Sequence, residues 1–127
     1  MKISRPIALL GVVVSTGAFA QDNLDSELQR MDLLGAPGME VVTRMIEIPP
    51  GGTLVRHTHP GVETGYVIEG GTIQLPSGES RNYPAGRTFI FQRDVPHAGF
   101  KNFGDKPLKL IYVLIVDKGK PPFVEVK

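Results

Sequence analysis

Downstream of residue 38 the sequence alternates between short runs of β-branched, leucine or aromatic residues and clusters of turn formers, with a period of about ten positions. The runs fall at residues 41–48, 53–58, 63–68, 72–75, 88–91, 97–102 and 108–116. Between them stand Pro49-Pro50-Gly51-Gly52, Pro60-Gly61, Gly70-Gly71, Pro76-Ser77-Gly78, Pro84-Ala85-Gly86 and Gly104-Asp105-Lys106-Pro107. Such residues preset or permit backbone reversal. The pattern predicts an all-β, antiparallel sandwich or small barrel formed by one domain over residues 39–127. Upstream, Leu24, Leu28 and Met31 lie at helical spacing behind a possible cap, Asp25 or Ser26. Residues 21–38 are therefore expected to form a short helix or an ordered arm, ended by Gly35-Ala36-Pro37-Gly38. Regular structure should stop near Lys118-Gly119-Lys120-Pro121-Pro122, with Phe123 and Val124 tucked against a neighbour.

The first twenty residues have a different character. Lys2 and Arg5 precede an apolar run at 7–14, and Ala18-Phe19-Ala20 stands just before Gln21. A basic start, a short apolar stretch and a small-x-small end describe a secretory leader cut after Ala20. The run is shorter than the ~20 apolar residues of a membrane-spanning helix. The expected mature chain, residues 21–127, is periplasmic or secreted from a bacterium, with no stable membrane insertion. Removing Lys2 and Arg5 changes 14 basic residues to 12, against 13 acidic ones. A nearly neutral surface excludes general electrostatic capture of nucleic acid. There is no cysteine. Disulfides, thiolate metal sites and thiol nucleophiles are excluded together, and any metal must be held by His, Asp or Glu.

The three histidines are His57, His59 and His97. On a strand, residues two apart face the same way, so His57 and His59 project together about 6 to 7 Å apart. Glu63 follows the Pro60-Gly61 turn, which breaks the alternation, so counting does not fix its direction. His97 lies 38 positions beyond His59 and joins the others only if the chain folds back. Each residue alone has a plainer reading: a strand histidine hydrogen-bonded at the surface, or a solvated glutamate.

The frame around them is more specific. Gly51, His57, His59, Glu63 and Gly70 fill every position of G-x5-H-x-H-x3-E-x6-G, and the segment resembles the first motif of the cupin superfamily. The second motif, G-x5-P-x-G-x2-H-x3-N, is met in its first half by Gly78, Pro84 and Gly86. Ten residues then precede His97 instead of two, and four separate it from Asn102 instead of three. The longer segment holds the turn Gln92-Arg93-Asp94-Val95-Pro96, in which Asp94 stands where a left-handed glycine would be wanted.

The resemblance implies a jelly-roll β-barrel or sandwich in which His57, His59, Glu63 and His97 point inward. Together they would hold one divalent ion per chain, Fe, Mn, Ni, Co or Zn, with about two positions open. Phe89 and Phe91 share the strand face that the resemblance places inside. Tyr112 shares a face with Leu110 and Leu114. These three aromatics, Phe89, Phe91 and Tyr112, are pocket candidates or plain core. Tyr66 falls opposite Glu63 by parity, Tyr83 could bring a hydroxyl to the mouth, and Arg56 and Arg87 are expected in solvent. The implied function is an exported, metal-dependent enzyme acting on a small organic substrate, with Glu63 either a ligand or a general base. A redox metal would give dioxygenase chemistry; an inert one suits isomerase or lyase chemistry. The alternative is a non-catalytic module that binds or senses a metal or small ligand. Family habit also implies a homodimer, for which the strand at 41–48 offers an edge.

Overall fold

The computed structural model describes residues 22–127, and the leader expected at 1–20 lies outside the described residues. The described chain forms strands β1 (Leu24–Asp32), β2 (Met39–Ile48), β3 (Thr53–Leu54), β4 (His57–Thr58), β5 (Gly61–Glu69) and β6 (Gly71–Gln74). They are followed by β7 (Ser80–Tyr83), β8 (Thr88–Phe91), β9 (Phe100–Asn102), β10 (Leu108–Asp117) and β11 (Val124–Glu125). All ladders are antiparallel. One sheet runs β1-β2-β10-β5-β8, a second β3-β9-β6-β7, and β11 pairs with β4 alone.

Strand β10 is apolar at almost every position because it is the middle strand of its sheet. Its inward face buries Leu108, Leu110, Tyr112, Leu114 and Val116. Beside it β2 alternates cleanly, sending Val42, Ile46 and Ile48 into the same core. The second sheet answers with Ile73 and Phe100, and Leu54, Leu75 and Tyr83 pack at the margin. The result is a sandwich of two open sheets over one core, not a closed barrel. Asn102, only 1% exposed, sits in that core with its amide satisfied. Its NH₂ donates to the carbonyls of Ile48 and Lys106, and its side-chain oxygen accepts from the Gly104 N–H. One buried amide thus pins the turn before β10 to the end of β2.

Several expectations need correction. Of the two forms expected for residues 21–38 the helix does not form; an ordered arm does, as β1, paired with β2 through a bulge between Glu27 and Gln29. Leu24, Leu28 and Met31 are 58%, 48% and 62% exposed, so their helical spacing buries nothing. Polar contacts attach the strand instead: Arg44 donates to Asp25, and Arg30 pairs with Glu27 and Glu40. Because β1 covers β2, residues 41–48 are interior to the sheet and offer no free edge. The run at 53–58 divides into β3 and β4, and the run at 97–102 shortens to β9. Strand β7 went unanticipated because Ser80-Arg81-Asn82-Tyr83 has no apolar alternation.

Candidate metal centre

A bend at Pro60 leads into β5, which begins at Gly61 beside β10, and Glu63 falls opposite Leu114 and Phe91. That register turns the Glu63 carboxylate inward. His57 and His59, two apart, face it from β4 and the residue after it. His97 arrives through an isolated bridge: the His57 N–H donates to the His97 carbonyl (3.1 Å), and the His97 N–H to the His57 carbonyl (3.0 Å). The preceding loop is anchored by the Asp94 N–H donating to the His59 carbonyl, with Asp94 at φ 60° as its position in the turn predicted. Ala98 also adopts a positive φ, 61°, which nothing in the sequence signalled.

One donor atom from each of His57, His59, Glu63 and His97 lies within 4.8 Å of the rest. The carboxylate oxygen Oε2 is 3.2 Å from His59 Nε2 and 2.6 Å from His97 Nε2. Each histidine turns its other nitrogen to a main-chain carbonyl: His57 Nδ1 to Val55 (2.8 Å), His97 Nδ1 to Val95 (3.0 Å) and His59 Nδ1 to Pro122 (2.5 Å). Carbonyls only accept, so Nδ1 carries the proton and the neutral ring's Nε2 presents a lone pair. His59 Nε2, His97 Nε2 and Glu63 Oε2 are all buried without a hydrogen-bond partner. Lone pairs facing one another in a dry place are costly unless a cation lies between them. Neighbouring donors on one transition ion, at bonds of about 2.0–2.2 Å, lie about 3 Å apart. Three imidazoles held from behind by carbonyls, with one carboxylate, therefore fit such an ion.

The electrostatics agree. Burial pushes the His57 imidazole down to about 4, so it is a neutral donor at physiological pH. Burial works to raise the Glu63 carboxyl, but hydrogen bonds from His59 and His97, with a proton in the place of the ion, prevail and hold it at about 2. Burial also opposes charge on His97, yet contact with Glu63 outweighs it and raises that pKa. A proton at His97 is the alternative occupant of the place that a metal would take.

The donors open onto a cavity of about 180 Å³. Phe89, Phe91 and Tyr112 all line it, as do Leu110 and Phe100. Phe91 stacks on His97, with ring centres 4.0 Å apart and 7° between planes. Tyr66 points away and is 46% exposed, consistent with its parity. Arg87 is exposed, as expected, and stands at the rim of the cavity, its guanidinium 5.2 Å from the centre of the Tyr83 ring, which also lines the cavity. Asp25 borders the cavity as well and accepts the Tyr112 hydroxyl at 3.0–3.1 Å. That bond adds to burial in raising the Tyr112 pKa. The Pro122 carbonyl and the Phe123 ring also belong to the site. A main-chain acceptor leaves no side-chain signature, so only the aromatic after Pro121-Pro122 hinted at it.

A family model described as "Cupin domain" matches residues 44–115. Among solved structures, a protein with a double-stranded β-helix domain from Klebsiella pneumoniae superposes with a TM-score of 0.61 at 18% identity, covering 96% of this chain and 99% of that one. The polyketide cyclase RemF from Streptomyces resistomycificus gives 0.54 at 23% identity, with 73% and 74% covered. Both likenesses show the fold alone. An oxalate oxidase in complex with the substrate analogue glycolate gives 0.57 at 26% identity over 82% of this chain, which spans only 55% of the oxidase. No curated protein sequence matches.

Proposed function

We propose, for a chain that belongs to the cupin family, a metal-dependent enzyme acting on a small organic acid. The observation that carries the reading is the convergence of three imidazoles and one carboxylate oxygen on the wall of a cavity lined mainly by apolar side chains. A divalent transition ion held by His57, His59, Glu63 and His97 would supply Lewis acidity and, if redox active, a route to dioxygen. The chain's own groups account for the rest. Arg87 offers a cation to a carboxylate that enters the cavity. Phe89, Phe91, Phe100 and Leu110 keep water out and strengthen every charge interaction within. Glu63, bordering the cavity as a carboxylate, can take a proton from the bound acid. The likeness to an oxalate oxidase holding glycolate supports a substrate of that size and charge.

The test is oxygen uptake and product analysis with Fe(II)- or Mn(II)-loaded protein, offered a panel of small acids that includes oxalate and glycolate. Turnover that falls about 100-fold in Arg87→Met, the loss of a charge-assisted contact of about 2–3 kcal/mol, supports the assignment. Saturable binding without turnover supports the binding or sensing module instead. A leader cut after Ala20 would export the protein to a bacterial periplasm or beyond, and the recovered chain should then begin at Gln21.

A homodimer belongs to the same proposal, but through a different surface from the edge first expected. The outward face of the five-stranded sheet carries Met31, Val41, Tyr66, Ile90, Val113 and Ile115 among Thr43, Thr64 and Thr88, and Met31, Tyr66 and Ile90 are exposed. Strands of 9, 10, 10, 9 and 4 residues, about 4.8 Å apart and rising about 3.4 Å per residue, give that face roughly 700 Å², close to the ~800 Å² per partner of a stable interface. Light scattering should report twice the chain mass, reduced to one in Val113→Glu. A monomer in the unaltered protein would sink this part.

A further inference from the structure

The three histidines are not oriented in the same way. His57 and His97 each give Nδ1–H to a carbonyl two residues upstream, Val55 and Val95, so their own loops fix their tautomer. The acceptor for His59 is Pro122, 63 positions away in sequence. The next residue, Phe123, lies over His57, with ring centres 4.2 Å apart and 28° between planes. This ring plays the part for His57 that Phe91 plays for His97. Two of the four donors are thus supported by one short segment.

That segment adds little to the core. Strand β11 contributes only the pairs Val124 with Thr58 and Glu125 with His57, and the Val126 N–H donates to the Arg56 carbonyl at 3.0 Å. Phe123 and Val124 are 43% and 46% exposed. Two consecutive prolines narrow the backbone conformations open to the segment and place the Pro122 carbonyl at low entropic cost.

We infer that residues 121–126 are a clasp that completes the metal centre, Pro122 positioning His59 through its carbonyl and Phe123 positioning His57 by stacking. Without the clasp, His59 keeps its place on the chain but loses the partner that fixes its ring and its tautomer. The inference rests on the metal reading given above. Pro122 and Phe123 are positioning residues, since neither offers a ligand atom to the ion.

The test compares the full chain with a variant lacking residues 121–126 and with the full-length variants Phe123→Ala and Phe123→Tyr. Co(II) affinity is measured by chelator competition, histidine tautomers by ¹⁵N imidazole NMR of the metal-free proteins, and folding by circular dichroism. Removing the clasp should weaken Co(II) binding 10- to 100-fold, the usual effect of losing a ligand's hydrogen-bond partner. The His59 signals should move from a single Nδ1–H form to a mixture while those of His97 stay fixed. Phe123→Ala should weaken binding several-fold, and Phe123→Tyr, which keeps the stacking ring, should restore it. Unchanged affinity with an unchanged His59 tautomer in the shortened chain overturns the inference. If the shortened chain does not fold, equal affinity in Phe123→Ala and the full chain overturns it. If the full chain binds no Co(II), the metal reading falls, and the His59 tautomer still decides whether Pro122 positions that ring.

Discussion

Protein carrying Glu63→Ala should be recovered folded but essentially free of transition metal, while the unaltered chain carries about one ion. Glu63 is the one anionic group among the four donors, so its loss leaves a dication facing three neutral rings. The variant also removes the carboxylate that pairs with a proton on His97 in the metal-free site. Its metal-free form should therefore melt a few degrees below the metal-free parent at neutral pH. The parent should lose stability on adding a chelator, by about 2.7 kcal/mol if the metal had been present at a hundred times its dissociation constant. The variant should show no chelator effect at all. Elemental analysis with paired thermal melts checks both halves, and full metal content in Glu63→Ala would end the case for a ligand role.

Gly61→Ala should be the most damaging single-methyl change in the turn between His59 and Glu63. A Cβ built there lies 2.0 Å from the Ile115 carbonyl oxygen and 2.6 Å from the Val116 Cα. Both are backbone atoms, and no side chain can rotate away. Strand β5 would have to lift from β10 where Glu63 is aimed, costing about 3 kcal/mol in urea denaturation. Gly51 serves a different purpose. It sits at φ +79° with open space around it, so Gly51→Ala should cost only about 1 kcal/mol of left-handed strain. Two glycines of one sequence neighbourhood are thus required for different reasons, contact at one and backbone conformation at the other. A smaller loss at Gly61 than at Gly51 would contradict this assignment.

Much of the site could be read from local rules. Strand parity placed His57 with His59, Phe89 with Phe91, and Tyr66 away from Glu63, and turn chemistry placed Asp94 in the left-handed region. Parity extends only as far as one strand runs, so the direction of Glu63 beyond the Pro60-Gly61 turn and the return of His97 needed the register of β5 and the bridge to His57. Residues 24–31 misled because helical spacing of Leu24, Leu28 and Met31 signals a helix only when some surface receives that face. Here the strand is attached by Asp25 and Arg30, and its leucines remain outside. Arg87 faces water, as a charged residue after a turn usually does, but parity could not show that it does so at the cavity rim, over Tyr83. Support that comes from main-chain atoms, as at Pro122, is invisible to any reading of side chains.

The bond from Tyr112 to Asp25 fixes what a guest molecule must bring to that wall. With its single proton committed to the carboxylate, the phenol has only an acceptor left to offer. An alcohol or an undissociated acid can meet it with a hydrogen; a molecule bearing bare oxygens at that end finds nothing to receive them. In the proposed enzyme a preference for hydroxylated over fully oxidised guests would therefore rest on β1, the segment expected from its sequence to be a short helix or an ordered arm.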